Sequence, residues 1–408
     1  MSEIKKLIER LCPDGVEWEK LVDNVDVLYG YPFDSRLFCE DETFMPLIRI
    51  RDVKPAKAST YYSGEVIEEY RITKGDILVG MDGNFNLEKW NDVDGLLNQR
   101  VCKLSSKNED KILNGFIYHY LKPVFKSIEG ELNSGTVIHL SAKRINKIEI
   151  PVPPIEVQSK IVEILDNFTE LEAELEAELE ARRKQYEYYR NQLLTFDKVG
   201  GARFDVKWMK LGDVCYISDY VSNGSFASIR NNVNYKTEPD FAVLIRFADY
   251  TSRFDESKFV YIDEHAYNFL SKSKLTGGEI IMSNVGSCGL FFRCPNLGKP
   301  MSLAPNSIVI KSDYLDYLFH WFGSHKAQEE IKKITSKSAM PKFNKTEFKK
   351  IQVPIPPLEE QQRIVSILDR FEALTTDLQS GLPAEIEARR KQYEYYREQL
   401  LTFKRKTA

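Results

Sequence analysis

The chain is one unit of about 200 residues written twice, and this duplication limits what it can fold into. Residues 148–156 and 351–359 both contain a Pro-x-Pro-Pro segment and lie 203 residues apart. Residues 181–190 recur letter for letter at 388–397, an offset of 207. A length of 408 residues alone suggests two or three domains, whereas the duplication predicts two copies of the same architecture.

Each copy ends in a segment with the pattern of a long helix. In residues 155–196 apolar side chains recur three or four positions apart, which is the spacing of one helical face. Such a helix would be about 63 Å long, so we expect it to pair antiparallel with residues 358–403, as in a coiled coil. The residues assigned to this packing are Leu171, Leu175, Leu179, Tyr186, Tyr189, Leu374, Leu378, Leu382, Tyr393 and Tyr396.

The centre of the first helical segment repeats Glu-Leu-Glu-Ala three times, at positions 170–181. The second copy is one tetrad longer, which accounts for the increase of the offset from 203 to 207. A four-residue insertion keeps an apolar stripe nearly in phase. The second copy also contains Gly381 and Pro383, which predict a kink or a brief break there.

The regions that precede these helices diverge and mix two patterns. Short apolar runs bounded by Gly, Asn and Asp predict strands at 77–79, 101–104, 241–245, 279–282 and 307–310, and helical stretches follow them. We therefore predict an α+β fold, in which two tandem lobes with mostly antiparallel sheets are joined by the two long helices with pseudo-two-fold symmetry. The predicted division is a first lobe at 1–154, a spacer helix at 155–196, a second lobe at 197–357 and a distal helical region at 358–408.

Charge is distributed unevenly along the chain. The net charge of −4 argues against a protein that coats nucleic acid by charge alone. However, the two helical segments together carry −8, whereas residues 197–357 carry +5. Lysines are densest at 326–350, which indicates either a cationic binding face or an ordinary solvated helix. The acidity therefore belongs mainly to the helices, and the lobes can still gather cations on one surface.

The sequence lacks motifs for catalysis. It has no Gly-x-x-x-x-Gly-Lys-Ser/Thr phosphate loop, and its Pro-Pro pairs lack the preceding Asp or Asn of amino-methyltransferases. The six cysteines have no Cys-x-x-Cys spacing, so we expect free thiols and no metal. His119 and His320 are equivalent in the two copies and are expected in the core. We expect a non-catalytic chain.

No apolar run approaches the roughly 18–20 residues of a membrane span, and residues 1–10 form a charged amphipathic stretch and not a signal peptide. The sequence therefore predicts a cytoplasmic protein without a membrane partner.

Two divergent lobes, each followed by a nearly identical helical region, resemble the specificity (S) subunit of type I restriction–modification systems. The resemblance covers essentially the whole chain. It is carried by the Pro-Val-Pro-Pro and Pro-Ile-Pro-Pro segments, by Gln158 and Gln361 after them, and by the two Ala-Arg-Arg-Lys-Gln-Tyr-Glu-Tyr-Tyr-Arg blocks. The tandem tetrads are similar to the spacer-length device of that family.

The resemblance implies a subunit whose lobes are target recognition domains, each reading one half of a bipartite, asymmetric site in double-stranded DNA. The paired helices would set the spacing and bind two methyltransferase (M) subunits through the helix residues named above. S-adenosylmethionine would be bound by the M subunits, and ATP and magnesium by restriction (R) subunits. This chain itself would bind no cofactor.

Base reading requires polar side chains that reach the major groove. Loop positions beside predicted strands offer them: Arg49, Arg51, Asn84, Asn86, Gln99 and Arg100 in the first lobe, and Ser225, Ser228, Arg230, Asn231, Arg246, Asn284, Ser287 and Lys342 in the second. Arg49 and Arg246 are equivalent in the two copies, which favours a scaffold role as much as base reading. The alternative for the whole chain is a helical adaptor that presents two lobes to protein partners without binding DNA.

Overall fold

A computed structural model describes residues 2–132, 139–196, 205–376 and 380–406. The chain forms two compact units. Unit 1 joins residues 1–176 to 385–408, and unit 2 holds residues 177–384. The α+β class with two tandem lobes is confirmed. The four-part linear division stays a prediction, because each compact unit combines a lobe with helical segments from both copies.

The first lobe and the helix that follows it contain eleven strands and six helices among the described residues. In chain order they are α1 (Ser2–Leu11), β1 (Glu17–Lys20), α2 (Leu21–Asn24), β2 (Val25–Tyr29), β3 (Phe38–Cys39), β4 (Met45–Ile48), α3 (Ile50–Val53), β5 (Tyr61–Tyr62), β6 (Arg71–Ile72), β7 (Ile77–Gly80), β8 (Leu87–Lys89), β9 (Gly95–Leu97), β10 (Val101–Ser106), α4 (Asn114–Leu132), α5 (Ala142–Ile145), β11 (Glu149–Val152) and α6 (Ile155–Leu194).

A four-stranded antiparallel sheet, in the order β2-β10-β7-β8, is the centre of the first lobe. Because side chains alternate along a strand, Ile77 and Val79 of β7 face a core shared with α1 and α4, whereas Leu78 faces the second sheet. That sheet, β3-β5-β4-β9-β6, contains one parallel pair, β4 with β9. Finally, β1 pairs with β11 and so ties the beginning of the lobe to the beginning of α6.

The second lobe and its helices follow the same order with a few additions. The elements are β12 (Lys207–Lys210), α7 (Leu211–Val214), β13 (Tyr216–Asp219), α8 (Phe226–Asn232), β14 (Ala242–Ile245), α9 (Phe247–Thr251), β15 (Tyr261–Ile262), α10 (Glu264–Phe269), β16 (Lys274–Leu275), β17 (Ile280–Ser283), β18 (Phe291–Arg293), β19 (Met301–Leu303), β20 (Ser307–Lys311), α11 (Leu315–Phe322), α12 (His325–Ile334), α13 (Lys345–Phe348), β21 (Gln352–Ile355), α14 (Leu358–Thr376) and α15 (Leu382–Leu401).

The sheets of the second lobe repeat those of the first, except that, in the described part of the chain, the sheet corresponding to β3-β5-β4-β9-β6 has four strands and lacks a counterpart of β3. The central sheet has the order β13-β20-β17-β18 and is antiparallel. Ile280 and Met282 of β17 face a core shared with α11, and Ile281 faces the sheet β15-β14-β19-β16. Again one pair is parallel, β14 with β19, and a two-stranded sheet joins β12 to β21. The duplicated sequence therefore folds into a duplicated structure.

The two helical tails differ in continuity. The helix α6 is one uninterrupted helix of 40 residues, consistent with the high helix propensity of its Glu, Leu and Ala tetrads. The second tail is divided into α14 and α15, and Ser380 and Gly381 between them are not helical. The break predicted beside Gly381 and Pro383 is therefore confirmed. Leu378, one of the predicted packing residues, lies outside the described residues.

In unit 1 the helices α6 and α15 pack antiparallel. Phe168 of α6 contacts Tyr396 of α15, with ring centroids 5.3 Å apart. Two turns further along α6, Glu176 accepts a hydrogen bond from Arg390, which precedes Tyr396 in α15. The four tyrosines predicted to pack helices contact one phenylalanine in each unit. Tyr393 and Tyr396 contact Phe168 in unit 1, and Tyr186 and Tyr189 contact Phe371 in unit 2.

The leucines predicted for the same stripe are less deeply placed. They are half-buried, apart from Leu374, which is 38% exposed; the half-buried ones are Leu171, Leu175, Leu179 and Leu382. Among the described residues no helix is both long and apolar enough to cross a membrane. All six cysteines are free thiols, as predicted.

Candidate nucleic-acid interface

Both lobes build the same polar corner at one end of the central sheet. In the first lobe, residues 81–86 connect β7 to β8, and Arg100 precedes β10 with a left-handed backbone, φ 71°. The Met81 N–H donates to the Arg100 carbonyl oxygen at 2.8 Å, and the Leu140 N–H donates to the Met81 carbonyl oxygen at 2.7 Å. These hydrogen bonds gather three chain segments, and we call residues 81–86, 99, 100 and 139 the first corner.

The second lobe repeats this arrangement at residues 284–290, 306 and 342, which we call the second corner. Asn306 is also left-handed, φ 67°, and its carbonyl oxygen accepts from the Asn284 N–H at 3.1 Å. The Phe343 N–H in turn donates to the Asn284 carbonyl oxygen at 3.1 Å. A left-handed non-glycine residue is uncommon and carries backbone strain. Its presence at the same position of both lobes marks the corner as a built feature of the fold.

Four of the six predicted first-lobe residues lie at the first corner, namely Asn84, Asn86, Gln99 and Arg100. The Arg100 Nη1 donates to the Asp82 carboxylate, and the His139 Nδ1 lies 2.6 Å from the same carboxylate. Burial opposes ionisation of Asp82, but hydrogen bonds from His139 and Arg100 outweigh it and lower its pKa. Asp82 is therefore a carboxylate that orients Arg100. The sequence analysis did not identify Asp82 or His139.

The other two first-lobe predictions, Arg49 and Arg51, lie beside the short helix α3. The buried Asp52 accepts from the Arg49 N–H at 2.9 Å and from the Ser59 hydroxyl at 2.5 Å. The Arg51 guanidinium donates to Ser59 at 3.1 Å. The Arg51 side chain therefore takes part in holding this turn, whereas Arg49 contributes its backbone N–H. The Arg49 guanidinium lies over the Phe38 ring, 5.6 Å from its centroid, and its role in base reading stays a prediction.

In the second lobe, the side chain of Arg246 is held by the aspartate three residues later, Asp249. Its guanidinium donates to both carboxylate oxygens of Asp249, at 3.1 and 2.5 Å, and to the Lys258 carbonyl oxygen at 2.7 Å. Asp249 is completely buried, so this pair is part of the lobe's internal structure. These contacts use Nε and Nη2, so Nη1 is the guanidinium nitrogen without a hydrogen-bond partner among the described residues. Arg246 also lines a cleft of about 650 Å³ beside the second corner.

The remaining second-lobe predictions surround the second corner. Arg230 and Asn284 line a cleft of about 620 Å³ together with the highly exposed Phe226. Ser287 lines two neighbouring clefts of about 650 and 900 Å³. Lys342 pairs with Val285 of the corner loop. These clefts meet at the loop 284–290, so five of the eight predicted residues, Arg246 included, converge on one surface.

Ser228 and Asn231 belong to the helix α8, beside the same cleft, and Ser225 directly precedes it. The Ser225 hydroxyl accepts from the Ser228 N–H at 3.2 Å and caps the beginning of this helix. Asn231 is exposed near the end of α8. Ser225 therefore has a local structural task, whereas Asn231 remains available to a ligand.

A basic cleft adjoins the second corner. Lys332, Lys333 and Lys337 line the 900 Å³ cleft together with the corner residues Gly286 and Ser287. Lys333 is paired with Glu330 at 2.8 Å. Within the described part of the chain, Lys332 and Lys337 have no carboxylate within 4.0 Å. The lysine-rich stretch predicted at 326–350 thus contributes free cations to this surface, as well as lysines that are neutralised locally.

The lobes are joined to the helices by a matching trio of side chains. In unit 1 the buried His119 of α4 lies 2.8 Å from Asp166 of α6 and 3.3 Å from the Tyr393 hydroxyl of α15. In unit 2 His320 of α11 lies 2.7 Å from Asp369 and 3.1 Å from the Tyr186 hydroxyl. We call these the junctions. The core placement predicted for both histidines is confirmed.

The side chains of the junctions have a structural role. Because a carboxylate only accepts hydrogen bonds, the Nε2–H of each histidine donates to the aspartate and its Nδ1 accepts from the tyrosine hydroxyl. Burial lowers the pKa of both histidines despite their carboxylate partners, so they are neutral. In unit 2 Glu372 lies near His320 and Asp369, with ligand atoms within 4.8 Å. The hydrogen bonds already use both ring nitrogens of His320, so we assign no metal to this group.

The repeated tyrosine blocks also contain an exposed position that the sequence analysis missed. Tyr188 is 61% exposed and its equivalent Tyr395 is 58% exposed, while the neighbouring tyrosines pack between helices. The helical period separates these positions, because residues two apart do not share a face. Two identical sequence blocks therefore present the same aromatic side chain to solvent, one in each unit.

The sequence matches a known family over most of its length. The model of the "Type I restriction modification DNA specificity domain" matches twice, at residues 16–181 and 205–388. The specificity subunit of the type I restriction enzyme EcoR124I/EcoR124II from Escherichia coli is 31% identical, over 99% of this chain and 97% of the relative. The specificity subunit of EcoBI from Escherichia coli is 28% identical over 93% of this chain and 85% of the relative.

The fold also has solved counterparts. The crystal structure of the S subunit of a type I restriction–modification system from M. genitalium superposes with a TM-score of 0.55 at 16% identity, covering 95% of both chains. A structure concerned with complex assembly and conformational transition of the type I system gives the same TM-score at 14% identity and covers 96% of this chain and 98% of the other. At such identities the likeness concerns the fold.

Proposed function

This chain belongs to the family of type I restriction–modification DNA specificity subunits, and from that premise we propose that its two corners read the two halves of a bipartite DNA site. The observation that carries this proposal is the repetition of one exposed polar corner, with different side chains, in two lobes of one fold. Readers that differ in their side chains recognise different bases. The site is therefore asymmetric.

We propose that the other candidate residues divide into two groups. Asn84, Asn86, Gln99, Arg100, Arg230, Asn231, Asn284, Ser287 and Lys342 approach the bases or the adjoining backbone. Ser225, Arg51 and Arg246 mainly support their own turns through their side chains. Ser228 and Arg49 contribute backbone N–H groups to their turns. Lys332 and Lys337 contact phosphates, since unpaired cations beside a reading surface position the duplex.

In this proposal the partner subunits, and not this chain, carry out the chemical reactions. The chain is a specificity subunit without a catalytic residue of its own, and two methyltransferase subunits supply the S-adenosylmethionine-dependent methylation. Restriction subunits supply ATP- and magnesium-dependent translocation and cleavage. The complex works on DNA in the cytoplasm. Tyr188 and Tyr395, with the helix residues around them, are the proposed contacts for the two methyltransferase subunits, because two identical blocks suit two copies of one partner.

Methylation of a random-sequence DNA library tests this function. The full chain, assembled with its methyltransferase partner, is expected to methylate one bipartite, non-palindromic motif. A chain in which residues 205–357 are replaced by the second lobe of a relative should change only one half of that motif. Methylation without sequence preference, or a chimaera that keeps both halves, would contradict the proposal and favour the adaptor alternative.

A tetrad deletion tests the role of the helix α6 in spacing. Removing residues 174–177 shortens the helix by about 6 Å, which corresponds to roughly one to two base pairs at about 3.4 Å each. The motif of the variant is expected to keep both halves and lose one or two base pairs between them. If the variant methylates the original spacing and no shorter one, the helix does not set the distance.

A further inference from the structure

Arg100 and Asn306 occupy equivalent positions in the two corners but carry different side chains. Both are exposed, both are left-handed, and the carbonyl oxygen of each accepts a hydrogen bond from the first residue after the central strand. The backbone is thus the same in both lobes, and the side chain is what differs.

In the first corner, Asp82 holds Arg100 at one nitrogen and leaves one edge of its guanidinium free to donate hydrogen bonds. Asp82 accepts from Nη1 of Arg100 and is itself held by His139. Within the described part of the chain, the Nε and Nη2 of Arg100 have no hydrogen-bond partner. A guanidinium fixed at one nitrogen loses less side-chain freedom when it binds. Two parallel N–H donors match the O6 and N7 acceptors of guanine in the major groove.

The second corner differs at all three of these positions. Val285 stands where the first corner has Asp82, Lys342 where it has His139, and Asn306 where it has Arg100. Without an arginine, no carboxylate is needed to orient it. The side-chain amide of Asn306 has no hydrogen-bond partner among residues that the structure describes, and it borders two clefts lined by Val285 and Pro305. An amide offers one donor and one acceptor, which match N7 and N6 of adenine.

We propose that Arg100 reads a guanine in one half-site and that Asn306 reads an adenine in the other. This inference rests on the proposed function, because it requires that the corners face DNA. It assigns base identity to one position of each half-site. The rest of each half-site is read by the residues around the corner.

The test is a reciprocal exchange in the full chain, assembled with its methyltransferase partner, on a random-sequence library. Arg100→Asn and Asn306→Arg place in each corner a residue that the other corner already accommodates, and asparagine tolerates the left-handed backbone well. Arg100→Asn should reduce the preference for guanine at one position of one half-site by about 10- to 100-fold. Asn306→Arg should likewise reduce the preference for adenine at one position of the other half-site.

The matched control is Arg36→Asn, which removes another exposed arginine of the first lobe that is also paired with an aspartate, Asp34, but is not one of the corner residues. It should leave the motif unchanged. Should Arg100→Asn lose all methylation, Asp82→Asn keeps Arg100 and removes only its carboxylate partner, with a smaller relaxation at the same guanine expected.

The outcomes separate this inference from the proposed function. A bipartite motif that contains no guanine in the first half or no adenine in the second overturns the inference and leaves the function intact. A motif that is unchanged in both Arg100→Asn and Asn306→Arg also overturns the inference and leaves the function intact. Where Arg100→Asn is inactive, a motif that is unchanged in Asp82→Asn has the same meaning. Absence of any bipartite motif with the unmodified chain overturns the function itself.

Discussion

The two copies have the same side chains at the junctions but different side chains at the corners. The junctions keep the same three side chains in both copies, His119, Asp166 and Tyr393 in unit 1 and His320, Asp369 and Tyr186 in unit 2. The corners keep the backbone and change the side chains. Each trio is centred on a buried histidine, whereas its aspartate is about half exposed. The trio tolerates little change because loss of a partner would leave a buried ring nitrogen unsatisfied. An exposed corner has no such constraint.

The sharpest test of this difference is removal of a junction histidine. His320→Ala leaves a cavity and deprives Asp369 and Tyr186 of a partner. The free energy of unfolding should fall by about 2–4 kcal/mol, measured by chemical denaturation. His265→Ala, which removes an exposed histidine bonded only to Asn232 within the described structure, should cost less than about 0.5 kcal/mol. Equal losses would show that the junction is no more important than the surface.

The junctions also predict how stability depends on pH. Since burial holds the folded-state pKa of His119 and His320 below its ordinary value, the unfolded chain binds protons first. Stability should be constant above about pH 7 and fall as the pH drops below about 6.5, the unfolded pKa of histidine. Denaturation midpoints measured between pH 5 and 8 check this.

A second decline is expected at lower pH from Asp166. Hydrogen bonds from His119 and Lys89 outweigh its burial and lower its pKa to about 2. The contribution of Asp166 to stability is therefore present above the unfolded pKa of 3.8 and is lost as the pH falls towards 2.

The decline below about pH 6.5 has its own test, the double variant His119→Gln, His320→Gln, which should flatten it. A slope that persists unchanged between pH 6.5 and 5 in this variant would assign the effect to other groups.

Lysines beside the second corner give a smaller effect, on binding and not on stability. Lys332→Ala or Lys337→Ala should each weaken DNA binding uniformly across sequences and reduce the salt dependence by about one unit of slope. Lys326→Ala is the control, because Lys326 lies 3.5 Å from Glu330 and is partly neutralised. Affinity titrations at several salt concentrations measure this. An identical slope for all three variants would place the duplex elsewhere.

The smallest effect concerns the helices. Arg390 donates to Glu172 and Glu176, whereas its copy Arg183 has no carboxylate within 4.0 Å in the described ranges. Arg390 is largely exposed, so Arg390→Ala should cost only about 0.2–1 kcal/mol in the free energy of unfolding. Arg183→Ala should cost nothing measurable. If both cost the same, the ion pairs are without consequence.

Local pattern was sufficient for a large part of the fold. The strands β7, β10, β14, β17 and β20 form where short apolar runs were predicted, since burial of such runs needs no distant information. The long helix α6 and the break before α15 follow equally from tetrads and from glycine with proline. The candidate surface was predicted less well. Arg49 and Arg246 have the right chemistry for base reading, but buried aspartates three residues later hold their turns.

By itself, the sequence determined that the chain is a duplicated α+β protein with two long helical segments, because repeats and periodicity are local properties of the chain. Only the tertiary structure decided which side chains meet. His119 and Tyr393 are 274 residues apart. Arg100 meets Asp82 and His139 through hydrogen bonds between three separate segments. Such contacts depend on how sheets and helices pack, and residue spacing carries no record of that packing.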